Sequence, residues 1–238
     1  MTDHPIIFSA PMVRALLAGR KTMTRRVLYS ARKARGGIVP ASATVLNGYP
    51  PIACAAHFDI STYFALTGWQ NLKAGDRLWV REAAAFITES FDQPDYWEYR
   101  ADTNGHVFPG NWPDDEKDNP DRPRWRPSIH MPRAASRVTL IVTSTKIEPL
   151  RDISDIDAIA EGVLSWREGW SKKEAGLALL RSTEAAAATN NGTTAQRLFY
   201  LLWTSLHGSE SWHANPFVVA PTFRVIKANI DAPEAAAA

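Results

Sequence analysis

The spacing of apolar and polar residues predicts short strands alternating with short helices and no repeated unit. Ile6 to Phe8 is a brief apolar run of strand character. Ser9 follows as a helix N-cap with Pro11 in the first turn, and Met12, Leu16 and Leu17 recur at helical spacing. A helix is therefore expected over residues 10–18, ended by Gly19. Lys21 to Val27 contains β-branched residues and reads as an extended segment or strand. Gly75-Asp76 is a turn signal before the alternating strand Arg77-Leu78-Trp79-Val80-Arg81, and Tyr96 to Arg100 reads as another strand. Residues 104–132, rich in Pro, Asp, Asn and Gly, are expected to be irregular and pinned by Trp112 and Trp125.

Further along, Ser136 to Glu148 places Val138, Leu140 and Val142 on one face and is expected to be the longest strand. Ser154 with Asp157 resembles a capping box opening a short helix that stops at Gly162. A second helix starts at Ser171, and a third over 195–206 has Leu198, Leu201, Leu202 and Leu206 as its apolar face. Phe217 to Lys227 closes the chain as a strand, and the alanine-rich tail at 232–238 is expected to be disordered. Strands interrupted by short helices, without βαβ repeats or a Gly-rich phosphate loop, argue for an α+β fold. The expected form is a small, curved or barrel-like mixed sheet with peripheral short helices.

Composition changes this picture little, but charge placement adds to it. At 238 residues the chain suits a single domain with generous loops. It has no apolar stretch long enough for a membrane span and no signal-peptide pattern at its start, so a cytoplasmic protein is expected. A lone cysteine, Cys54, excludes an internal disulfide framework, and no zinc-ligand spacing occurs, so neither a metal nor another cofactor is expected. Between Asp3 and Asp59 there is no acid, whereas Arg14, Arg20, Lys21, Arg25, Arg26, Arg32, Lys33 and Arg35 are all basic. A second basic segment carries Arg122, Arg124, Arg126, Arg133, Arg137 and Lys146. If the two segments meet they form an electropositive face suited to RNA or single-stranded DNA; the alternative is ordinary solvated surface.

The string Leu17-Ala18-Gly19-Arg20-Lys21-Thr22-Met23-Thr24-Arg25-Arg26, followed by Gly75-Asp76-Arg77-Leu78-Trp79-Val80, resembles the ASCH domain, a PUA-like β-barrel family. The resemblance covers roughly half the chain. It implies a single PUA-like barrel over residues 1–231, with insertions near 28–71, 83–135 and 164–193. The small bacterial ASCH enzymes that deacetylate N4-acetylcytidine carry a Lys, a Thr three residues on, and a Glu in a later helix. Lys21, Thr24 and Glu161 match those positions. The strings Gly75 to Glu82 and Trp125 to Pro132 are also similar to longer ASCH proteins often encoded by bacteriophages. Arg26, together with Trp79, Arg81, Glu82, Arg126, Ser128 and His130 within those strings, is a candidate substrate-binding residue.

These residues suit hydrolysis of an exocyclic amide, which needs a nucleophile, a base and an acid for the leaving amine. Thr24 offers a hydroxyl, Lys21 an amine and Glu161 a carboxyl. Arg20, Arg25 and Arg26 crowd Lys21 with like charge, and burial would push the same way, so its pKa is expected to fall from ~10.4. Glu161, at the negative end of a helix dipole, is placed for a proton-donor role. Equally compatible with the sequence is water as the attacking group, with Lys21 or Glu161 as base and Thr24 only positioning the substrate. The plainer readings are a strand with outward polar residues at Lys21–Thr24, a solvated helix end at Glu161, core aromatics at Trp79 and Trp125, a structural His130, and an Arg126 paired with an acid. The function implied is removal of acyl groups from N4-acylated cytosine nucleosides or bases. The alternative is a nucleic-acid-binding module, possibly a ribonuclease, presenting a basic face.

Overall fold

The computed structural model of the chain describes residues 1–27, 71–88, 94–103, 124–164, 189 and 192–236. Cys54, His106, Trp112 and the helix expected at Ser171 lie outside them. The described strands are β1 (Asp3–Ile7), β2 (Arg26–Val27), β3 (Arg77–Arg81), β4 (Ala84–Ile87), β5 (Tyr96–Tyr99), β6 (Thr139–Pro149) and β7 (Phe217–Ile226). The helices are α1 (Ala10–Leu17), α2 (Asp155–Ala160), α3 (Thr194–His207), α4 (Ser209–His213) and α5 (Pro233–Ala236). The protein is α+β: a five-stranded mixed sheet in the order β1-β3-β6-β7-β2, and a separate hairpin β4-β5. Among the described residues the sheet is open, with no closed barrel. None of the described helices is long and apolar enough to cross a membrane.

The chain divides into two compact units. The first comprises residues 1–19, 75–142 and 224–238, and the second 20–74 and 143–223. In the first, β1 pairs in parallel with β3, from Asp3 opposite Arg77 to Ile7 opposite Arg81. β3 pairs antiparallel with β6, Leu78 facing Leu140. Gly75 sits at φ +90°, a conformation that costs glycine little, and turns the chain into β3. The expected one-sided alternation of β6 fails at its start, where Thr139, Leu140, Ile141 and Val142 are all buried. A strand inside a sheet with both faces covered reads as a continuous run, not an alternation. The tail, expected to be disordered, forms one helical turn in which Ala235 is buried; its alanines are good helix formers.

An ion cluster secures β1 in this unit. Both oxygens of Asp3 accept from Arg77, at 2.8 Å each, and Arg133 adds a third bond at 2.6 Å. The Arg77 hydrogen bonds, with help from Arg133, hold the Asp3 carboxyl below the usual carboxylate range. A depressed carboxylate pKa stabilises the fold above the unfolded value of ~3.9, and that contribution is lost as pH falls through the folded pKa. Asp3→Asn is therefore expected to cost about 1 kcal/mol at pH 7, a figure discounted for partial exposure. Thermal denaturation of both proteins at pH 7 and in acid checks this: the gap should close in acid, and an equal gap at both would contradict it.

In the second unit, β2 pairs antiparallel with β7, Arg26 opposite Val219, and Met23 makes a single bridge to Thr222. A hydrophobic cluster forms beside this pair from Leu150, Ile153, Ala158 and Val163 with Leu198, Phe199, Tyr200, Trp203, Trp212 and Val218. Helix α3 opens on a full capping box, Thr193 accepting from the Gln196 backbone and the Gln196 side chain from Thr193 N–H. Its buried face is Leu198, Phe199, Tyr200, Leu201 and Trp203, whereas Leu206 is 52% exposed. The expected leucine stripe is thus rotated toward the aromatics, which remove more apolar area from water than a leucine does.

Candidate functional site

The site forms in the second unit where the extended segment after Gly19 meets the end of α2. Ser154 caps α2, its side chain accepting from Asp157 N–H at 3.2 Å, and Gly162 ends the helix at φ +84°. A helix this short leaves carbonyls without intrahelical partners. The chain from Lys21 to Met23 supplies donors: the backbone N–H groups of Thr22 and Met23 reach the Ala160 oxygen at 2.8 and 3.1 Å. Lys21 Nζ donates to the Glu161 carbonyl at 2.9 Å and to Glu161 Oε2 at 2.7 Å. Backbone and side chain together therefore seat a lysine at the negative end of a helix, where a cation is favoured.

Lys21 is only 1% exposed and Glu161 6%. Burial pulls the Lys21 amine below its ordinary range; Glu161 opposes the shift, and Arg26 and Arg25 add to it. Glu161 meets two basic side chains: its Oε2 accepts from Lys21 at 2.7 Å and its Oε1 faces Arg25 Nη1 at 3.4 Å. Thr24 is buried, and its backbone N–H donates to Pro221 O at 3.2 Å. Arg26, in β2, is half-buried; burial lowers its guanidinium pKa and the nearby Glu161 charge opposes that.

Sequence reasoning missed the surrounding array. Arg25, with its side chain 0% exposed, donates from Nη2 to Glu148 at 2.5 Å and to Asp157 at 3.1 Å. Lys146 binds the same two acids, at 3.0 and 2.5 Å. Two signals pointed there: Asp157 and Glu161 are four residues apart on one helix, and Lys146 and Glu148 alternate along one strand. His207 was also passed over. Its ring lies 4.4 Å from that of Trp203, and desolvation together with the Arg26 charge holds it below the usual imidazole range.

The other candidates belong to the first unit. Arg81 lies over the Trp79 ring at 5.3 Å and donates to the Ile129 carbonyl. Glu82 is 1% exposed and gripped by Arg137 at 2.9 and 3.1 Å. Arg137 also binds Asp102 and stacks over Tyr99 at 3.9 Å. Burial raises the Glu82 carboxyl, with Arg137 opposing. Glu82 is thus engaged in a structural pair. Ser128 and His130 occupy a 3₁₀ turn with His130 exposed, and Arg126 is exposed beside β4. The expected basic face loses several members to acids: Arg25, Arg133, Arg137 and Lys146 all sit in ion pairs, and Arg25 is too deeply buried to meet a phosphate. No protein-family model, curated protein or solved structure matches the chain.

Proposed function

We propose that the protein is an amidohydrolase that removes acyl groups from N4-acylated cytosine nucleosides or bases, on a PUA-like fold of the ASCH type. The observation that carries this reading is the buried contact of Lys21 with Glu161 at 2.7 Å, within a segment whose Lys-x-x-Thr string resembles that of the deacetylating ASCH enzymes. Burial lowers the pKa of Lys21 and so raises the share of neutral amine at a given pH, and Glu161 accepts its hydrogen bond and orients it. In the proposed reaction Lys21 takes the proton from the attacking hydroxyl, whose oxygen adds to the acyl carbon. The C–N4 bond then breaks as the same proton passes to the departing nitrogen. With Thr24 as nucleophile the acyl group rests on its oxygen until water releases the carboxylic acid; with water as nucleophile the acid leaves at once. Either route consumes one water and yields the acid and the free cytosine amine. A nucleic-acid-binding role has less support, since acids neutralise much of the second basic segment.

Purified protein mixed with N4-acetylcytidine should change its absorbance to that of cytidine; no turnover of N4-acetylcytidine or N4-acetylcytosine would overturn the proposal. Thr24 variants separate the two routes. Thr24→Ser should keep much of the activity, and Thr24→Val should lower kcat by ~100-fold or more if Thr24 is the nucleophile. Near-normal kcat in Thr24→Val assigns the attack to water.

A further inference from the structure

We infer that Arg25 is the positioning residue of this site: its guanidinium ties Glu148, Asp157 and Glu161 into one buried array and fixes the Glu161 carboxylate where it receives Lys21. The inference rests on the proposed role of Lys21 as base. Arg25 Nη2 meets Glu148 Oε1 at 2.5 Å and Asp157 Oδ2 at 3.1 Å, and Nη1 faces Glu161 Oε1 at 3.4 Å. These carboxylates come from β6, from α2 and from the residue that ends α2, so one planar fork spans three points of the chain. An ammonium is a point charge without that span. The fork is held in plane by the Phe199 ring, 5.6 Å from its centre, and by Met23 Sδ, 3.4 Å from Nη1.

The division of oxygens gives the array its chemical meaning. Glu161 turns Oε1 toward Arg25 and Oε2 toward Lys21, so Arg25 draws part of its charge away from the lysine. Lys146 clamps Asp157 and Glu148 from another side, leaving the guanidinium little room to swing. Arg26 faces Glu161 electrostatically, and His207 faces Arg26. A buried ion array of this kind is weak evidence for stability, because well-packed apolar residues often do as well or better. Its use here is orientation. Without the fork, Glu161 is free to give its whole charge to Lys21 and a like charge disappears, and both changes favour the protonated, inactive ammonium.

The test compares wild type with Arg25→Met and Arg25→Lys. Both variants should lose kcat on the order of 10- to 100-fold with little change in KM, and the alkaline rise of the pH–kcat profile should move to higher pH. Arg25→Lys should not rescue, since charge without the fork does not hold Glu161. Carbon-13 NMR of lysine-labelled protein reads Lys21 directly and needs no substrate: its titration should move upward in both variants. If wild type turns over no acylated cytosine, the amidohydrolase reading falls while the Lys21 titration still decides the role of Arg25. Should Arg25→Met not fold, Arg25→Lys decides alone. A folded variant with the Lys21 titration at its wild-type position overturns the inference.

Discussion

Replacing Lys21 with methionine is expected to lower kcat for N4-acetylcytidine by ~100- to 10,000-fold, the range that a positioned proton-transfer group contributes. Lys21→Arg should lose as much, because a guanidinium stays protonated and takes no proton at neutral pH. In wild type the active form carries a neutral amine, so kcat/KM should rise with pH through the lowered pKa of Lys21. Removing the lysine also leaves Glu161 buried without its 2.7 Å partner, and breaking a buried pair typically costs about 3–5 kcal/mol. Loss of activity must therefore be separated from loss of fold. The double variant Lys21→Met/Glu161→Leu restores packing between two apolar side chains. It should regain much of the stability and none of the activity, as read by urea denaturation beside the absorbance assay. Wild-type activity in folded Lys21→Met would end the proposed mechanism.

The second large effect concerns the core beneath the site. Trp212→Ala is expected to destabilise the protein by about 3–5 kcal/mol, since the indole is 1% exposed and its removal leaves a cavity that helices cannot easily close. The ring lies 5.1 Å from Tyr200 in an edge-on contact and 6.2 Å from Phe199, so the void would open under α3 itself. Phe199 is also the ring under the Arg25 guanidinium, which links this core to the site. Urea denaturation measures the loss; a change below about 1 kcal/mol would mean that α4 does not pack as described.

Much of the fold was legible because the decisive signals were local. Ser9, Pro11 and Gly19 bracket α1 within two residues, Gly75 announces β3, and Ser154 with Gly162 delimits α2. Other features were not, and for stated physical reasons. α4 is five residues long and starts straight after Gly208, too short for periodicity to show. The buried face of α3 is chosen by packing against α2 and α4, which a helical wheel of leucines does not contain. The Lys21–Glu161 contact came from a resemblance, not from any pattern within 140 intervening residues. Arg25 read as one basic residue among eight because charge counted along a chain ignores burial. The three acids that neutralise it, Glu148, Asp157 and Glu161, lie more than 120 residues away.

That separation bears on how the protein acquires its chemistry. Lys21 and Glu161 are 140 residues apart, and Arg26 pairs with Val219 across a still longer loop. Closing a flexible loop of this length carries an entropic cost of about 4 kcal/mol before any contact rewards it. Helices α2 and α3 form from neighbours in sequence, whereas the Lys21–Glu161 contact joins the two ends of that loop. During refolding, helical signal should return first and turnover last. On the ribosome, the lysine is synthesised long before its carboxylate partner, so no N-terminal fragment ending short of α2 contains both halves of the pair.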